Sequence, residues 1–140
     1  MSSNQGHTAS LRLTGDMAFT AEFPAGHEVV FDGLESAGAT PMDVLLGCLA
    51  ACTGIDVISI LRKMREPVEE YRVLVEGERA EEHPRVYTHI TITHIVAGSV
   101  DEERLAHAIE LSEERYCSIS AMLAKTAKIE TAHRIEPKLA

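Results

Sequence analysis

The feature that most constrains this chain is one long apolar segment, VLLGCLAACTGIDVISIL, at residues 44–61. Thr40 followed by Pro41, with Asp43 in the first turn, is typical of a helix start, because it supplies a cap, a proline at the first helical position and an acid at the positive end of the helix dipole. The basic, proline-terminated stretch RKMREP is typical of a helix end. The sequence therefore predicts a central helix at about residues 41–65.

The apolar segment is at the short end of what can span a bilayer, and it contains Asp56 and two glycines. We therefore predict a buried helix of a soluble protein and no membrane span. A helix that is apolar nearly all round needs cover on every side. A chain of 140 residues has little surface with which to supply that cover. A homodimer in which the helix meets its copy would provide the remainder.

The segments on either side of the helix alternate as strands do. LRLTGDMAFTAEF and GHEVVFDG predict three N-terminal strands at about residues 8–33. Two longer strands, two helices and a last strand are predicted within about residues 68–136, and Ser99 with Glu102 has the spacing of a capping box for the first of these helices. Locally paired strands with helices between them indicate an α+β fold in a single domain covering residues 1–140.

The charge and cysteine content exclude several classes of protein. With 13 basic and 22 acidic residues, the net charge of −9 argues against binding to nucleic acid or to anionic lipid. The stretch MSSNQGHTASLRLTG has no basic region followed by an apolar one, as a secretory signal would. Three cysteines are too few for a secreted disulfide scaffold. We therefore expect a cytoplasmic protein with reduced thiols.

Two of the cysteines, Cys48 and Cys52, are four residues apart in the central helix. They share one helix face, with Cβ atoms about 5–6 Å apart, which exceeds the roughly 3.5–4.5 Å that a disulfide requires. No Cys-x-x-Cys or His-x-x-x-His pattern completes a metal site, so the sequence predicts neither a metal nor another cofactor. Because buried cysteine commonly packs as a small hydrophobe, packing is the interpretation we favour for Cys48.

The third cysteine, Cys117, stands in RYCSISAML at the predicted start of a later helix. The N–H groups and the dipole at a helix N-terminus stabilise a thiolate. Arg115, two residues earlier, offers a cation. Cys117 is therefore a candidate functional thiol, with packing as an equal alternative.

The segment TPMDVLLGCLAACTGIDVISILRKM, followed 65 residues after Cys52 by the cysteine of YCSISAML, resembles the OsmC/Ohr family of osmotically inducible and organic-hydroperoxide-resistance proteins. It most resembles the YhfA-like branch. The resemblance implies an intertwined α+β homodimer with long central helices packed against antiparallel sheets. It also implies thiol-dependent reduction of organic hydroperoxides, with Cys52 as the peroxidatic thiol and Cys117 as the resolving thiol. Cys48 matches no cysteine of the family.

The implied reaction needs an organic hydroperoxide and an external dithiol reductant. The thiolate of Cys52 would become a sulfenic acid, and Cys117 would condense with it to form a disulfide that the dithiol reduces. Because burial in a helix raises a thiol pKa, a positive group must approach Cys52.

The residues that activate the thiol in the family are not evident in this chain. Where family members have a glutamate in the first turn of the helix, this chain has Met42. The adjacent Asp43 could replace that glutamate, or it could serve only as a helix cap. Family members also have an activating arginine on the N-terminal strands. The only candidate for it in this chain is Arg12, for which a solvated strand position is the stronger alternative. Asp56 shares a helix face with Cys52 and would raise the thiol pKa. The alternative function is therefore a non-enzymatic dimer that senses oxidants or binds a small molecule.

Overall fold

The computed structural model describes residues 6–137 of the 140-residue chain. Among these residues the order is three strands, a long helix, two strands, two helices and a strand, which confirms the predicted α+β fold. The elements are β1 (Ser10–Leu13), β2 (Ala18–Glu22), β3 (Glu28–Asp32), α1 (Pro41–Lys63), β4 (Val68–Arg79), β5 (Tyr87–Gly98), α2 (Glu102–Leu111), α3 (Ser118–Leu123) and β6 (Lys128–Glu136).

The chain divides into two compact units, one ending at Leu45 and the other beginning at Leu46. Helix α1 starts in the first unit and continues into the second. The single domain expected over residues 1–140 stays a prediction, and it includes residues 1–5 and 138–140, which lie outside the described part of the chain.

The first unit contains an antiparallel sheet in the order β1–β2–β3. The loop after this sheet is organised by Asp32, whose buried carboxylate accepts the backbone N–H groups of Ala37 and Leu34 at 2.8 Å each. These hydrogen bonds stabilise the charged form and hold the pKa of Asp32 below its ordinary value. A loop of small residues is thereby fixed at the entrance to α1.

Helix α1 begins at Pro41, as predicted, and ends at Lys63. Oγ1 of Thr40 accepts the backbone N–H of Asp43 at 3.3 Å, which confirms Thr40 as the cap. The buried side chains of α1 form a single stripe, with one residue every four positions: Leu49, Thr53, Val57 and Leu61. By length and composition alone α1 could cross a membrane. Its stripe instead contributes to the core of the second unit.

That core joins α1, β5 and α2. Val57 and Leu61 pack with Val96 of β5 and with Leu105 and Ile109 of α2 in one buried cluster. The buried residues of α2 are Leu105, Ala108 and Ile109, whose spacing of three and four positions is that of one helix face. Burial of these apolar side chains fixes the rotation of α1 about its axis, and with it the direction of every polar side chain on the helix.

The second unit has the strand order β4–β5–β6. Strands β4 and β5 are antiparallel, whereas β6 runs parallel to β5. The parallel pair differs from the antiparallel sheets that the family resemblance implies. Its physical reason is the connection, because α2 and α3 carry the chain back along the sheet before β6 begins.

A buried polar pair lies against this core. The hydroxyl oxygen of Tyr71 is 2.6 Å from Nδ1 of His94, which is fully buried on β5. Burial, reinforced by His133, lowers the pKa of His94 to about 4. The imidazole is therefore neutral at pH 7, and it serves as a hydrogen-bonded core residue.

The start of α2 differs from its prediction. The N-cap is Asp101, whose carboxylate accepts the backbone N–H of Arg104 at 3.2 Å. The capping box assigned to Ser99 and Glu102 is therefore wrong. Because α2 begins at Glu102, the residue directly before it takes the cap position, and Ser99 lies too early in the chain.

The two possible caps can be separated by a matched pair of substitutions. We expect Asp101→Ala to lower the free energy of unfolding by about 0.5–2 kcal/mol, since it leaves a backbone N–H of the first turn without its acceptor. Ser99→Ala, at an exposed position, should change it by less than about 0.5 kcal/mol. Urea denaturation followed by circular dichroism measures both, and a larger effect at Ser99 would contradict the assigned cap.

Candidate functional site

Three side chains of the second unit, those of Cys52, Asp56 and Cys117, converge at one point. The two sulfurs and a carboxylate oxygen all lie within 4.8 Å of one another. Cys52 and Asp56 occupy successive turns of α1, whereas Cys117 is 65 positions from Cys52 in the chain. The fold thus brings together the two cysteines that the sequence predicted as site residues, and it adds a carboxylate.

Cys52 and Asp56 each precede a buried residue of α1 by one position. They therefore form a row along the border of the buried stripe, and both are half-buried. Cys48 belongs to the same row, but it is exposed. The packing role favoured for Cys48 is therefore wrong for the single chain, because the stripe runs through Leu49 instead.

An irregular turn positions Cys117. Residues Ser112–Tyr116 form one turn of π-helix, which the backbone N–H of Cys117 closes by donating to the carbonyl of Ser112 at 2.8 Å. Cys117 then caps α3, and its Sγ accepts the backbone N–H of Ser120 at 3.4 Å. The predicted position at a helix start is confirmed. Single π-turns are frequent where a side chain must be redirected at a functional site.

The environment of Cys117 favours the thiol over the thiolate. Burial raises the pKa of Cys117 to about 12, against the opposing effect of the Ser120 N–H, and the neighbouring Cys52 and Glu113 raise it further. The side chain is only 2% exposed. The prediction that the helix start would stabilise the thiolate of Cys117 is therefore wrong, because burial has the larger effect.

Hydrogen bonds fix the orientation of Asp56. Oγ of Ser112 donates to Oδ2 of Asp56 at 3.0 Å and lies 2.9 Å from Oγ1 of Thr53. Ser112 and Thr53 are both fully buried, and their part in the site was not predicted. A signal was present, because Ser112 directly follows α2 in line with its inward face, and a buried serine must find a hydrogen-bonding partner.

A second carboxylate lies near Cys117. Oε2 of Glu113 accepts the hydroxyl of Ser120 at 2.7 Å, whereas Oε1 is buried and has no hydrogen-bonding partner within residues 6–137. Over the same residues, no ion pair joins Asp56 or Glu113 to a basic side chain. The site therefore combines two thiols with two carboxylates that no ion pair balances.

The predicted supporting residues make contacts of their own. The guanidinium of Arg115 lies 5.7 Å from the centre of the Tyr116 ring and forms no ion pair within the described chain. In the first unit, Arg12 pairs with Glu22 at 2.5 Å, and both side chains are exposed. Asp43 is exposed in the first turn of α1. The solvated position considered for Arg12 is thus the observed one.

A cavity of about 350 Å³ opens beside Asp56. Neither Cys52 nor Cys117 lines this cavity. Its wall is largely apolar, with one carboxylate and one amine, and consists of Ile55, Asp56, Ser59, Ile60, Lys63, Leu111 and Tyr116. A small molecule or ion can therefore approach the site from the side of Asp56.

Comparisons with known proteins agree with this fold. Residues 33–132 match the family model for OsmC-like protein. Protein YhfA of Escherichia coli strain K12 is 36% identical over 129 residues, which are 91% of this chain and 96% of that protein. The crystal structure of a hypothetical protein from Aquifex aeolicus VF5 matches with a TM-score of 0.87 at 30% identity, covering 94% of this chain and 97% of that chain. An organic hydroperoxide resistance protein from Elizabethkingia anophelis matches with a TM-score of 0.69 at 14% identity, covering 95% and 99%, and shares the fold.

Alkylation tests the environments of the thiols. Because iodoacetamide modifies thiolates, its rate depends on both exposure and pKa. At about pH 8 we expect Cys48 to react first and Cys117 last, with the Cys117 rate still rising through pH 9 and 10, since its pKa is about 12. Peptide mass spectrometry at timed intervals measures each rate, and the protein unfolded in guanidinium is the control. Equal rates for Cys48 and Cys117 in the folded protein would contradict the burial of Cys117.

Proposed function

Because this chain belongs to the OsmC-like protein family, we propose that it reduces organic hydroperoxides with the thiols of Cys52 and Cys117. The observation that supports the proposal is the proximity of the two sulfurs, which lie within 4.8 Å of each other. A disulfide has an S–S distance of about 2.05 Å, so the sulfurs would need to approach by less than about 3 Å. Cys52 is the more accessible of the two and is assigned the role of nucleophile.

The first step oxidises Cys52. Its thiolate sulfur attacks the terminal oxygen of R–O–OH, the O–O bond breaks, and the alkoxide leaves and takes up a proton to become the alcohol. Cys52 is left as a sulfenic acid. The proton of the Cys52 thiol needs an acceptor, and the carboxylate within 4.8 Å is that of Asp56. We assign Asp56 as the general base, held in orientation by the Ser112 hydroxyl.

The second step forms the disulfide. The sulfur of Cys117 attacks the sulfur of the sulfenic acid, and hydroxide leaves as water with the proton of the Cys117 thiol. An external dithiol then reduces the Cys52–Cys117 disulfide by two thiol exchanges and becomes a disulfide itself. Asp43, Arg12 and Arg115 stay predicted supporting residues in this scheme.

A second candidate function is redox sensing without turnover. It is favoured by the raised pKa of Cys117, because burial and the neighbouring Glu113 disfavour the thiolate that must resolve the sulfenic acid. In that case one equivalent of hydroperoxide would be consumed and an added dithiol would not support cycling. Turnover therefore distinguishes the sensor from the enzyme.

We also propose that the protein is a homodimer and that it acts in the cytoplasm, where thiols are kept reduced. The support for the dimer is an open apolar groove between α1 and β4, lined by Ala50, Ala51, Gly54, Ile55, Ile58, Tyr71 and Val73. Ile55 is 67% exposed in the single chain. A second copy of α1 in this groove would bury a helix face that water otherwise covers.

Sedimentation velocity at micromolar concentration tests the dimer. We expect a dimer for the native protein and for Met122→Glu, because Met122 is exposed and lies outside the groove. Ile55→Glu should yield monomers, since it places a charge in the centre of the apolar surface. A monomeric native protein, or dissociation by Met122→Glu alone, would contradict the proposed interface.

The oxidation of the thiols is tested by adding one equivalent of cumene hydroperoxide to the reduced protein and mapping each cysteine by mass spectrometry. We expect a Cys52–Cys117 disulfide in the native protein and equally in Cys48→Ser. Cys117→Ser should stop at a Cys52 sulfenic acid that dimedone traps, and Cys52→Ser should consume no hydroperoxide. Asp56→Asn should slow the oxidation by roughly 10²–10⁴-fold, as loss of a general base does. Three reduced cysteines after the reaction would refute the proposed function.

A further inference from the structure

We propose that Cys52, Asp56 and Cys117 form a binding site for a thiophilic divalent cation of the Zn²⁺ class. The site uses the same side chains as the proposed redox chemistry, but it does not require that the protein reduce hydroperoxides. The sequence predicted no metal site because no two ligands have a recognised metal-binding spacing. The third ligand comes from a segment that only the fold brings to α1.

The separation of the three ligands suits a tetrahedral metal ion. With a Zn–S distance of about 2.3 Å and a Zn–O distance of about 2.0–2.2 Å, two ligand atoms of a tetrahedral site are about 3.6–3.8 Å apart. The sulfurs of Cys52 and Cys117 and the carboxylate oxygen of Asp56 already lie within 4.8 Å of one another. Closing around an ion would require shifts of about 1 Å or less.

The chemical nature of the ligands selects the class of cation. Two thiolates with one carboxylate are typical of Zn²⁺ and of similar soft or borderline ions. Mg²⁺ and Ca²⁺ require oxygen ligands throughout, so a site with two sulfurs disfavours both. Three protein ligands leave a fourth position for water or a small anion.

The groups that surround the three ligands hold them in orientation. Oδ2 of Asp56 accepts the hydroxyl of Ser112, and Oδ1 accepts no hydrogen bond from any residue in 6–137. Sγ of Cys117 accepts the backbone N–H of Ser120. Hydrogen bonds of this kind around metal ligands fix their direction and commonly change metal affinity by about 10–100-fold.

The charge of the occupied site would suit a cation. Metal binding would release the protons of both thiols, and the two thiolates with Asp56 would then carry three negative charges, while no ion pair within the described residues neutralises Asp56. Glu113 provides a separate observation. Its Oε1 is buried and has no hydrogen-bonding partner in this part of the chain, and its charge raises the pKa of Cys117. A divalent cation would offset this negative potential.

One ligand is accessible, and occupancy would have a consequence. Asp56 lines the cavity of about 350 Å³, so an ion that enters this cavity would contact one of the three ligands. An ion bound to both thiolates would occupy the sulfur electron pairs with which Cys52 attacks a hydroperoxide. Zn²⁺ would therefore act as a reversible inhibitor of oxidation at this site.

Titration of the reduced protein with Co²⁺ alone, used as a spectroscopic substitute for Zn²⁺, tests the proposal. We expect one equivalent to produce a near-ultraviolet thiolate-to-metal charge-transfer band and intense visible bands of four-coordinate Co²⁺, and Zn²⁺ should displace both. Cys48→Ser, the matched thiol control, should leave the spectrum unchanged. Cys52→Ser and Cys117→Ser should abolish or weaken the charge-transfer band, and Asp56→Asn should lower the affinity by about 10-fold or more.

The test has outcomes that oppose the proposal. Absence of a charge-transfer band in the native protein, which needs no variant, would overturn it. So would a spectrum that survives Cys117→Ser unchanged, or one that depends on Cys48. Hydroperoxide oxidation is measured separately in the presence of a chelator. Disulfide formation without Co²⁺ binding would overturn the metal site alone, and Co²⁺ binding by thiols that stay reduced with hydroperoxide would overturn the proposed function alone.

Discussion

The candidate site depends on which face of α1 is buried. Val57 and Leu61 are held in the core by β5 and α2, and Thr53 extends the same stripe and lies 2.9 Å from the buried hydroxyl of Ser112. This packing fixes the rotation of the helix. Cys52 and Asp56, each one position before a stripe residue, are thereby held at the border between core and solvent. A rotation of α1 that exposed the stripe would also separate these two side chains from Cys117.

The charges around the two sulfurs differ from those around a strongly activated cysteine. A reactive cysteine is commonly accompanied by a cation that stabilises its thiolate. Here a carboxylate oxygen of Asp56 lies within 4.8 Å of both sulfurs, and burial together with the charge of Glu113 raises the pKa of Cys117 to about 12. Such an environment favours the neutral thiol of Cys117 over its thiolate. Proton acceptance and the proposed binding of a thiophilic cation both use the carboxylate of Asp56.

Disulfide formation and metal binding would exclude each other. A disulfide removes both thiolates that would coordinate an ion, and a bound ion engages the sulfurs that would react with an oxidant. Both states need only small movements of side chains that the π-turn and the start of α3 already hold near α1. The two proposals therefore rest on the same three residues and differ in the reagent that engages the sulfurs.

The sequence by itself determined the α+β class, the order of the elements, the start of α1 at Thr40 and Pro41, and the two cysteines that meet at the site. Local periodicity, caps and the family resemblance carry that information, and they act over short stretches of chain. The sequence did not reveal the parallel pairing of β6, the contacts of Ser112 with Thr53 and Asp56, or the convergence of Asp56 with both thiols. These depend on residues that are distant in the chain and adjacent only after α1 and α2 pack. Tertiary structure alone also determined the thiol environment, because burial, which no local pattern records, outweighed the effect of the helix start on Cys117.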